Sequence, residues 1–198
     1  DKYDLSSLKQ VLYGSASMPV ARLKEAIQRF GRIFAQGYGL TETVGPVTSL
    51  MPAQHITDGR PEEIQRLGSC GREILNSHVR VMHEDGTVVA RDGKDLGEIV
   101  IQSDTLLKCY WNMPEVTGEA IKDGWLLSGD LATVDSDGYI YIVDRKKDMI
   151  ISGGINIYPR EIEEVLYKHP AVFEAAVIGL PDEEWGEIVS AVIVLKED

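Results

Sequence analysis

The stretch from Val11 to Gly39 decides the fold of the first part of this chain; it reads VLYGSASMPVARLKEAIQRFGRIFAQGYG. Two apolar runs, Gln10–Tyr13 and Arg32–Gln36, are typical of buried strands, and each is followed by a glycine, Gly14 or Gly37. An amphipathic segment lies between them. A strand, a helix and a second strand in this order predict an α/β unit with parallel strands, and ligand loops in such sheets lie at the carboxyl ends of the strands.

The segment between the two strands predicts a helix with identifiable ends. Ser17 is a candidate cap, Pro19 suits the first turn, and Gly31 is expected to stop the helix. Four apolar residues at spacings of three and four form one face that should contact a core. These are Leu23, Ala26, Ile27 and Phe30.

After a polar connection at residues 52–66, the hydrophobic pattern changes to a period of two. Strands are expected at residues 79–82, 88–89, 97–101 and 139–142, with turn dipeptides at Asp85-Gly86 and Asp137-Gly138. This alternation over about 80 residues predicts an antiparallel barrel or sandwich. The sequence Asp135-Ser136-Asp137-Gly138 imitates the start of a calcium loop, but it lacks the later acidic ligands, so a hairpin turn is the better interpretation.

A third unit is expected from Arg145 onward. Apolar runs at residues 149–151 and 155–157 flank Gly153-Gly154 as a hairpin, and Pro159 opens a helix. Ile162, Val165 and Leu166 of that helix are expected to face inward, and strands at residues 175–178 and 188–194 follow. The predicted fold is mixed: the end of an α/β subdomain (1–60), an antiparallel β-barrel subdomain (61–144), and a hinge with an incomplete α+β domain (145–198).

Composition excludes several classes of protein. The chain has 198 residues, of which 43% are hydrophobic, so intrinsic disorder is excluded. No apolar run approaches the roughly 20 residues of a membrane span, and the first residues do not resemble a signal peptide. The net charge of −12 disfavours nucleic acid as a partner. The two cysteines, Cys70 and Cys109, form no framework and suit a reducing cytoplasm, while the sequence leaves oligomerisation open.

The loop Gly37-Tyr38-Gly39-Leu40-Thr41-Glu42-Thr43 carries the clearest chemical signal. Its glycines let the backbone approach a ligand, and Tyr38 offers a flat face to a base. Thr41 offers a hydroxyl to phosphate, and Glu42 a hard oxygen to Mg²⁺. Glu42 stands at the third glycine position of a dinucleotide fingerprint, which excludes that motif. A ligand loop and a plain tight turn both remain open from the residues alone.

Two further groups of residues have a functional and a plain interpretation. Asp130 follows an apolar run and could accept hydrogen bonds from ribose hydroxyls, or it could be an acid at a strand-end turn. Asp144-Arg145-Lys146-Lys147-Asp148 could be a solvated loop, or a mobile joint near a phosphate ligand. The four histidines have no metal-ligand spacing, and no serine, histidine and aspartate set is recognisable, so no nucleophile is assigned.

Taken together, the motifs resemble the adenylate-forming superfamily, which includes acyl- and aryl-CoA ligases, peptide-synthetase adenylation domains and firefly luciferase. The order and spacing match over nearly the whole chain, and PDEEWGE at 181–187 resembles the acyl-CoA ligase branch. The segments that carry the resemblance are QGYGLTET (36–43), GEIVI (97–101), GWLLSGD (124–130), DGYI (137–140) and DRKKDMIISGG (144–154), with Asn156, Tyr158-Pro159 and Glu161-Ile162-Glu163.

The resemblance implies an ATP- and Mg²⁺-dependent ligase that converts a carboxylic acid to acyl-AMP and then, with coenzyme A, to a thioester. It implies a role in catalysis for Thr41, Glu42 and Lys147: Thr41 would bind phosphate, Glu42 would bind Mg²⁺, and Lys147 would be the hinge of the C-terminal domain. The other implied positions are Gly14, Ser15 and Ala16 at the acyl and adenine sites, Gln36, Gly37 and Gly39 in the nucleotide loop, Tyr38 on adenine, Asp130 and Arg145 on ribose, and Gly153 and Gly154 on the pantetheine path.

The same resemblance implies that this chain is a carboxyl-proximal piece of the enzyme. A phosphate-binding loop is expected before Asp1 and a lysine loop after Asp198, so the isolated chain is expected to be inactive. Ile155 stands where many such ligases carry Glu or another polar residue. Two other functions remain open, an adenylation domain that loads a carrier protein and a nucleotide-binding module without turnover.

Overall fold

A computed structural model describes residues 3–16 and 18–196. The first sheet confirms the predicted α/β unit, because its first two strands are parallel and pair from Val11 with Phe34 to Gly14 with Gly37. Its strand order is β1-β2-β3-β4. The elements are β1 (Val11–Gly14), α1 (Val20–Phe30), β2 (Phe34–Gly39), β3 (Pro46–Leu50), α2 (Pro61–Gln65) and β4 (Arg72–Glu73).

Helix α1 covers one side of this sheet. Its buried residues Leu23 and Ile27 pack in one cluster with Phe34 and Leu67, as the apolar face predicted, whereas Phe30 at the end of the face is 39% exposed. The helix begins at Val20 directly after Pro19. The predicted Ser17 cap lies outside the described residues.

Strand β3, which pairs antiparallel with β2, is not marked by the sequence pattern. Val47, Thr48 and Leu50 are all buried, so both faces of this strand are covered and no alternating pattern marks it. The polar connection at 52–66 is also more ordered than expected: it contains a 3₁₀ turn at Pro52–Gln54 and the short helix α2.

The second sheet confirms the antiparallel subdomain as a curled half-barrel of five strands. Strand β8 lies at its centre, pairing with β6 along one edge and with β7 and β9 along the other, and the core contains Ile99, Ile101 and Leu126. The expected strand at 88–89 is only an isolated bridge between Met82 and Val88. The elements are β5 (Ser77–Met82), β6 (Gly97–Ser103), α3 (Pro114–Ala120), β7 (Ile121–Lys122), β8 (Trp125–Val134) and β9 (Ile140–Arg145).

The third sheet has the order β11-β10-β13-β12 and confirms the glycine hairpin. The expectation for helix α4 is wrong at Val165, which is 62% exposed, because in the described residues only one side of the helix is covered. No helix in residues 3–16 and 18–196 is both long and apolar enough to cross a membrane. The elements are β10 (Ile150–Ser152), β11 (Ile155–Ile157), α4 (Pro159–Leu166), β12 (Val172–Asp182) and β13 (Gly186–Leu195).

Candidate nucleotide-binding site

A cavity of about 1190 Å³ opens at the carboxyl ends of β1 and β2, where the second sheet meets the first. An adjoining cavity of about 330 Å³ adds Ala16 and Tyr38 to its lining. The structure therefore brings together all the residues proposed from the sequence except Gly153 and Gly154, which line neither cavity. The proposed residues that line the larger cavity are Gly14, Ser15, Gln36, Gly37, Gly39, Thr41, Glu42, Asp130, Arg145 and Lys147.

The floor of the cavity is made by backbone. Gly14 and Gly37 are partners in the parallel pair, and a Cβ added to Gly14 would overlap the carbonyl oxygen of Gly37. Glycine at this point keeps the two strand ends close and leaves backbone exposed toward a ligand. Ser15 follows with a φ of 64°, a conformation uncommon outside glycine.

The loop after β2 is held by the buried hydroxyl of Thr43. Its Oγ1 accepts the Leu40 N–H at 2.9 Å and lies 2.7 Å from the Gly45 carbonyl, to which it can donate. Val44 has a φ of 64°, a strained conformation for a β-branched residue. Thr41 is exposed and Glu42 half-buried, and both line the cavity. The loop therefore presents the Thr41 hydroxyl and the Glu42 carboxylate at the cavity wall.

Asp130 lies within β8 and not at a strand end, so the interpretation as a turn acid is wrong. The Tyr38 hydroxyl donates to Asp130 Oδ2 at 2.7 Å, and Arg145 Nε lies 3.6 Å from Oδ1. Burial raises the pKa of Asp130, while the hydrogen bond from Tyr38 and the Arg145 charge act in the opposite direction. A carboxylate has further acceptor positions beyond these two contacts. It can therefore accept hydrogen bonds from a ligand's hydroxyls.

The charged segment 144–148 forms the connection between the second and third sheets. The Asp148 N–H donates to the Arg145 carbonyl at 3.1 Å, which makes a turn between β9 and β10. Lys146 pairs with Glu84 at 2.7 Å and lies 3.7 Å from Glu98. Lys147 lines the cavity and has no ion pair within the described part of the chain. The sequence does not reveal that Lys146 joins distant segments, because Glu84 and Glu98 lie far from it in the chain.

Tyr110 is a second residue of the cavity that sequence reasoning missed. Its hydroxyl donates to Glu42 Oε1 at 2.7 Å, and the hydrogen bond to this carboxylate raises the pKa of the tyrosine. No local pattern around Tyr110 marks this contact, which joins residues 68 positions apart.

The number of carboxylates at this cavity decides how a divalent cation would be held there. Residues 3–16 and 18–196 contain no group of three or more His, Cys, Asp or Glu side chains placed to hold a metal. Mg²⁺, however, usually keeps several waters and takes one or two carboxylates together with substrate phosphates. The single Glu42 carboxylate therefore fits a phosphate-bound Mg²⁺, and it does not fit a metal held by protein alone.

Gly153 and Gly154 form the turn between β10 and β11, with φ values of 57° and 80°. The Gly153 N–H donates to the Trp185 carbonyl at 2.9 Å, and a Cβ on Gly153 would lie 2.7 Å from the Trp185 ring. Nothing lies within 4 Å of a Cβ added to Gly154. The turn therefore rests on the β12–β13 hairpin, away from the cavity.

A buried histidine supports the cavity wall from behind. His55 is 0% exposed, and its Nδ1 lies 2.9 Å from the Met51 carbonyl oxygen, which can only accept. Nδ1 therefore carries the proton, and Nε2 accepts from the Tyr13 hydroxyl at 2.9 Å. Burial lowers the pKa of His55. This arrangement fixes the tyrosine behind Gln36, whose Oε1 lies 3.4 Å from the same hydroxyl.

Two models of known protein families match this chain. The family model for the AMP-binding enzyme matches residues 1–111, and the model for the AMP-binding enzyme C-terminal domain matches residues 161–198. The fold joins an α/β unit, an antiparallel half-barrel and a C-terminal unit, and its cavity lies at the carboxyl ends of the parallel strands. This chain belongs to the AMP-binding enzyme family, the adenylate-forming superfamily that its motifs resemble.

Individual relatives are similar over almost the whole chain. A medium/long-chain-fatty-acid–CoA ligase of Mycobacterium tuberculosis is 48% identical over 98% of this chain. An amide bond synthetase from Marinactinospora thermotolerans is 35% identical over 98% of the chain, with a TM-score of 0.86. An o-succinylbenzoate CoA synthetase from Bacillus subtilis, in complex with its acyl-adenylate intermediate, is 33% identical over 98%, with a TM-score of 0.81. This chain covers 33%, 37% and 39% of these three proteins, about a third of their length.

Proposed function

We propose that this chain is the carboxyl-proximal part of an AMP-forming acyl-CoA ligase. In the first step an oxygen of the substrate carboxylate bonds to the α-phosphorus of ATP, and the bond from that phosphorus to the pyrophosphate oxygen breaks. In the second step the thiolate of coenzyme A attacks the acyl carbon, and AMP leaves. The observation that carries the proposal is the cluster of Tyr38, Asp130 and Arg145, which line the cavity near the carboxyl ends of β1 and β2.

Nucleotide binding is the function assigned to that cluster. Asp130 accepts hydrogen bonds from the ribose hydroxyls, and Arg145 lies beside it on the neighbouring strand. The ring of Tyr38 lies against adenine while its hydroxyl orients Asp130. The remaining proposed contacts follow the cavity wall: Gly14, Ser15 and Ala16 at the acyl and adenine sites, and Gln36, Gly37 and Gly39 in the nucleotide loop.

Phosphate binding is assigned to the loop after β2. Thr41 presents its hydroxyl to a phosphate oxygen, and the Glu42 carboxylate would hold Mg²⁺. When bound, the cation would offset charge on the phosphates during adenylation. Arg145, Lys146 and Lys147 add basic side chains to the lining of this cavity.

The second half-reaction is assigned to a change in orientation of the C-terminal unit. Lys147 is the proposed hinge, in the turn that joins the second and third sheets. Gly153 and Gly154 line the pantetheine path after that change. The proposed boundaries are 1–60 and 61–144 for the two subdomains of the large domain, and 145–198 for the hinge and the start of the small domain.

The cellular location that we propose is the cytoplasm. Cys70 and Cys109 are both free, and burial raises the pKa of the Cys70 thiol to about 12. Unpaired cysteines suit a reducing compartment.

The acceptor of the acyl group decides between the proposal and its alternatives. The full-length protein that carries this segment should catalyse carboxylate-dependent exchange of pyrophosphate into ATP with a panel of fatty and aromatic acids. Coenzyme A should then consume the acyl-AMP. Transfer only to a phosphopantetheinyl carrier protein would favour the loading domain, and nucleotide binding without exchange would favour the module without turnover.

A further inference from the structure

The hydrogen bond between Tyr110 and Glu42 places a residue from a distant loop in direct contact with the proposed metal ligand. The Tyr110 hydroxyl lies 2.7 Å from Glu42 Oε1, and both residues line the larger cavity. Within the described residues, Glu42 Oε2 has no hydrogen-bond donor. One oxygen of the carboxylate is thus held and the other is left available.

The loop that carries Tyr110 is held by hydrogen bonds before the tyrosine and at the tyrosine itself. Before it, the Leu107 N–H donates to the Glu42 carbonyl at 2.7 Å, and Leu106 and Leu107 pack against the core of the second sheet. At the tyrosine itself, the Tyr110 N–H donates to Thr117 Oγ1 at 3.0 Å, in the middle of α3. The loop is therefore bonded to both the backbone and the side chain of Glu42.

We propose that Tyr110 is a positioning residue for Glu42: it holds Oε1 so that Oε2 remains directed to a magnesium–nucleotide complex. This inference rests on the proposed function, because Glu42 is assigned to Mg²⁺ there. A half-buried glutamate has several rotamers, and a donor to one oxygen selects among them before the ligand arrives. Tyr110 touches neither nucleotide nor metal in this account, and it acts only through Glu42.

Loss of the Tyr110 hydroxyl should cause a binding defect that depends on the Mg²⁺ concentration. In the full-length protein, Tyr110→Phe should raise the Mg²⁺ concentration that half-saturates binding of a non-hydrolysable ATP analogue by about 10–100-fold. Affinity for the analogue at saturating Mg²⁺ should stay close to that of the wild type. Isothermal titration with the analogue across a series of Mg²⁺ concentrations measures both quantities without any turnover.

Matched variants separate positioning from folding. Tyr141→Phe removes another tyrosine–carboxylate hydrogen bond, of 3.0 Å to Asp135 outside both cavities, and should leave the Mg²⁺ dependence unchanged. Glu42→Gln should reproduce the Tyr110→Phe defect, and the double variant should be no worse than Glu42→Gln alone. If Tyr110→Phe lowers the unfolding temperature strongly, Tyr110→His retains a ring donor and should show a smaller shift in Mg²⁺ dependence than Phe.

Each outcome bears on a different claim. An equal loss of affinity for Tyr110→Phe at every Mg²⁺ concentration would make Tyr110 a nucleotide contact and overturn its positioning role. An unchanged Mg²⁺ dependence would also overturn it, while leaving the proposed function intact. A wild-type protein that binds no analogue at any Mg²⁺ concentration would overturn both.

Discussion

The Tyr38 hydroxyl donates to Asp130 Oδ2 at 2.7 Å and thereby joins two sheets across 92 residues of sequence. Tyr38 lies near the carboxyl end of β2, and Asp130 lies within β8. The bond crosses the junction at which the cavity opens, and Asp130 is only 5% exposed. The proposed adenine and ribose contacts are therefore oriented by each other as well as by their own strands.

Asp130→Ala in the full-length protein should strongly reduce its use of ATP. A hydrogen bond to a charged group contributes about 1.5–3 kcal/mol. Loss of two such bonds to ribose predicts a fall of about 10²–10⁴ in kcat/KM for ATP, measured by pyrophosphate exchange. Asp104→Ala, at an exposed position, is the matched control and should behave as wild type. A fall of less than about tenfold for Asp130→Ala would assign that carboxylate to structure alone.

Lys147→Pro should separate the two half-reactions. Asp148 donates to Arg145 across the turn, so Lys147 is one of the two inner residues of that turn. Pro fixes φ near −65° and so restricts the hinge to one orientation. We expect pyrophosphate exchange to survive and coenzyme A-dependent consumption of acyl-AMP to be lost.

The control for the hinge is Lys147→Ala, which removes the side chain and leaves the backbone free. It should retain more of the second half-reaction than Lys147→Pro. Equal loss of both half-reactions in the proline variant would indicate misfolding, and equal retention of both would place the hinge elsewhere.

Gly153→Ala should destabilise the glycine turn more than Gly154→Ala. Both residues have positive φ, which costs an L-residue about 1–2 kcal/mol, but only at Gly153 would the added Cβ approach the Trp185 ring, at 2.7 Å. Thermal unfolding of the two variants measures the difference. When each glycine variant is combined with Trp185→Ala, the difference between the two should disappear. A difference that persists would refute the steric cause.

Acidification should destabilise the protein through His55. The usual pKa of this group is 6.5, and burial lowers it in the folded state, so below about pH 6.5 the unfolded chain binds a proton that the folded chain does not. Stability should fall as pH drops from that point, by up to about 1.4 kcal/mol per pH unit, until the folded state also protonates. His55→Gln should flatten this dependence of the unfolding temperature, whereas His78→Gln, at an exposed position, should retain it. An unchanged slope in His55→Gln would contradict the assignment.

Local patterns predicted the parts of the fold that depend on near neighbours in sequence. The α1 face, the parallel pair and the glycine hairpin all follow from apolar spacing and from glycine at element ends. The strand β3 does not, because burial on both faces removes the alternation that would reveal it. Val165 was placed inside because spacing alone defines a face without showing what covers it.

The sequence predicted most of the residues that line the cavity, because they lie in short motifs. It did not predict the hydrogen bonds and ion pairs that these residues make with distant segments. Tyr110 reaches Glu42 across 68 positions, and Lys146 reaches Glu84 across 62. Such pairs depend on how the sheets are brought together, and no spacing within a single segment encodes them. Gly153 and Gly154 were grouped with the site by resemblance, and in this structure they lie away from its two cavities.

The most direct test of the central claim is a crystal structure of the full-length protein with AMP. We expect the ribose hydroxyls within about 3.2 Å of the Asp130 carboxylate, adenine against the Tyr38 ring, and phosphate near Thr41. AMP bound elsewhere, or bound in this cavity without contact to Asp130, would contradict it.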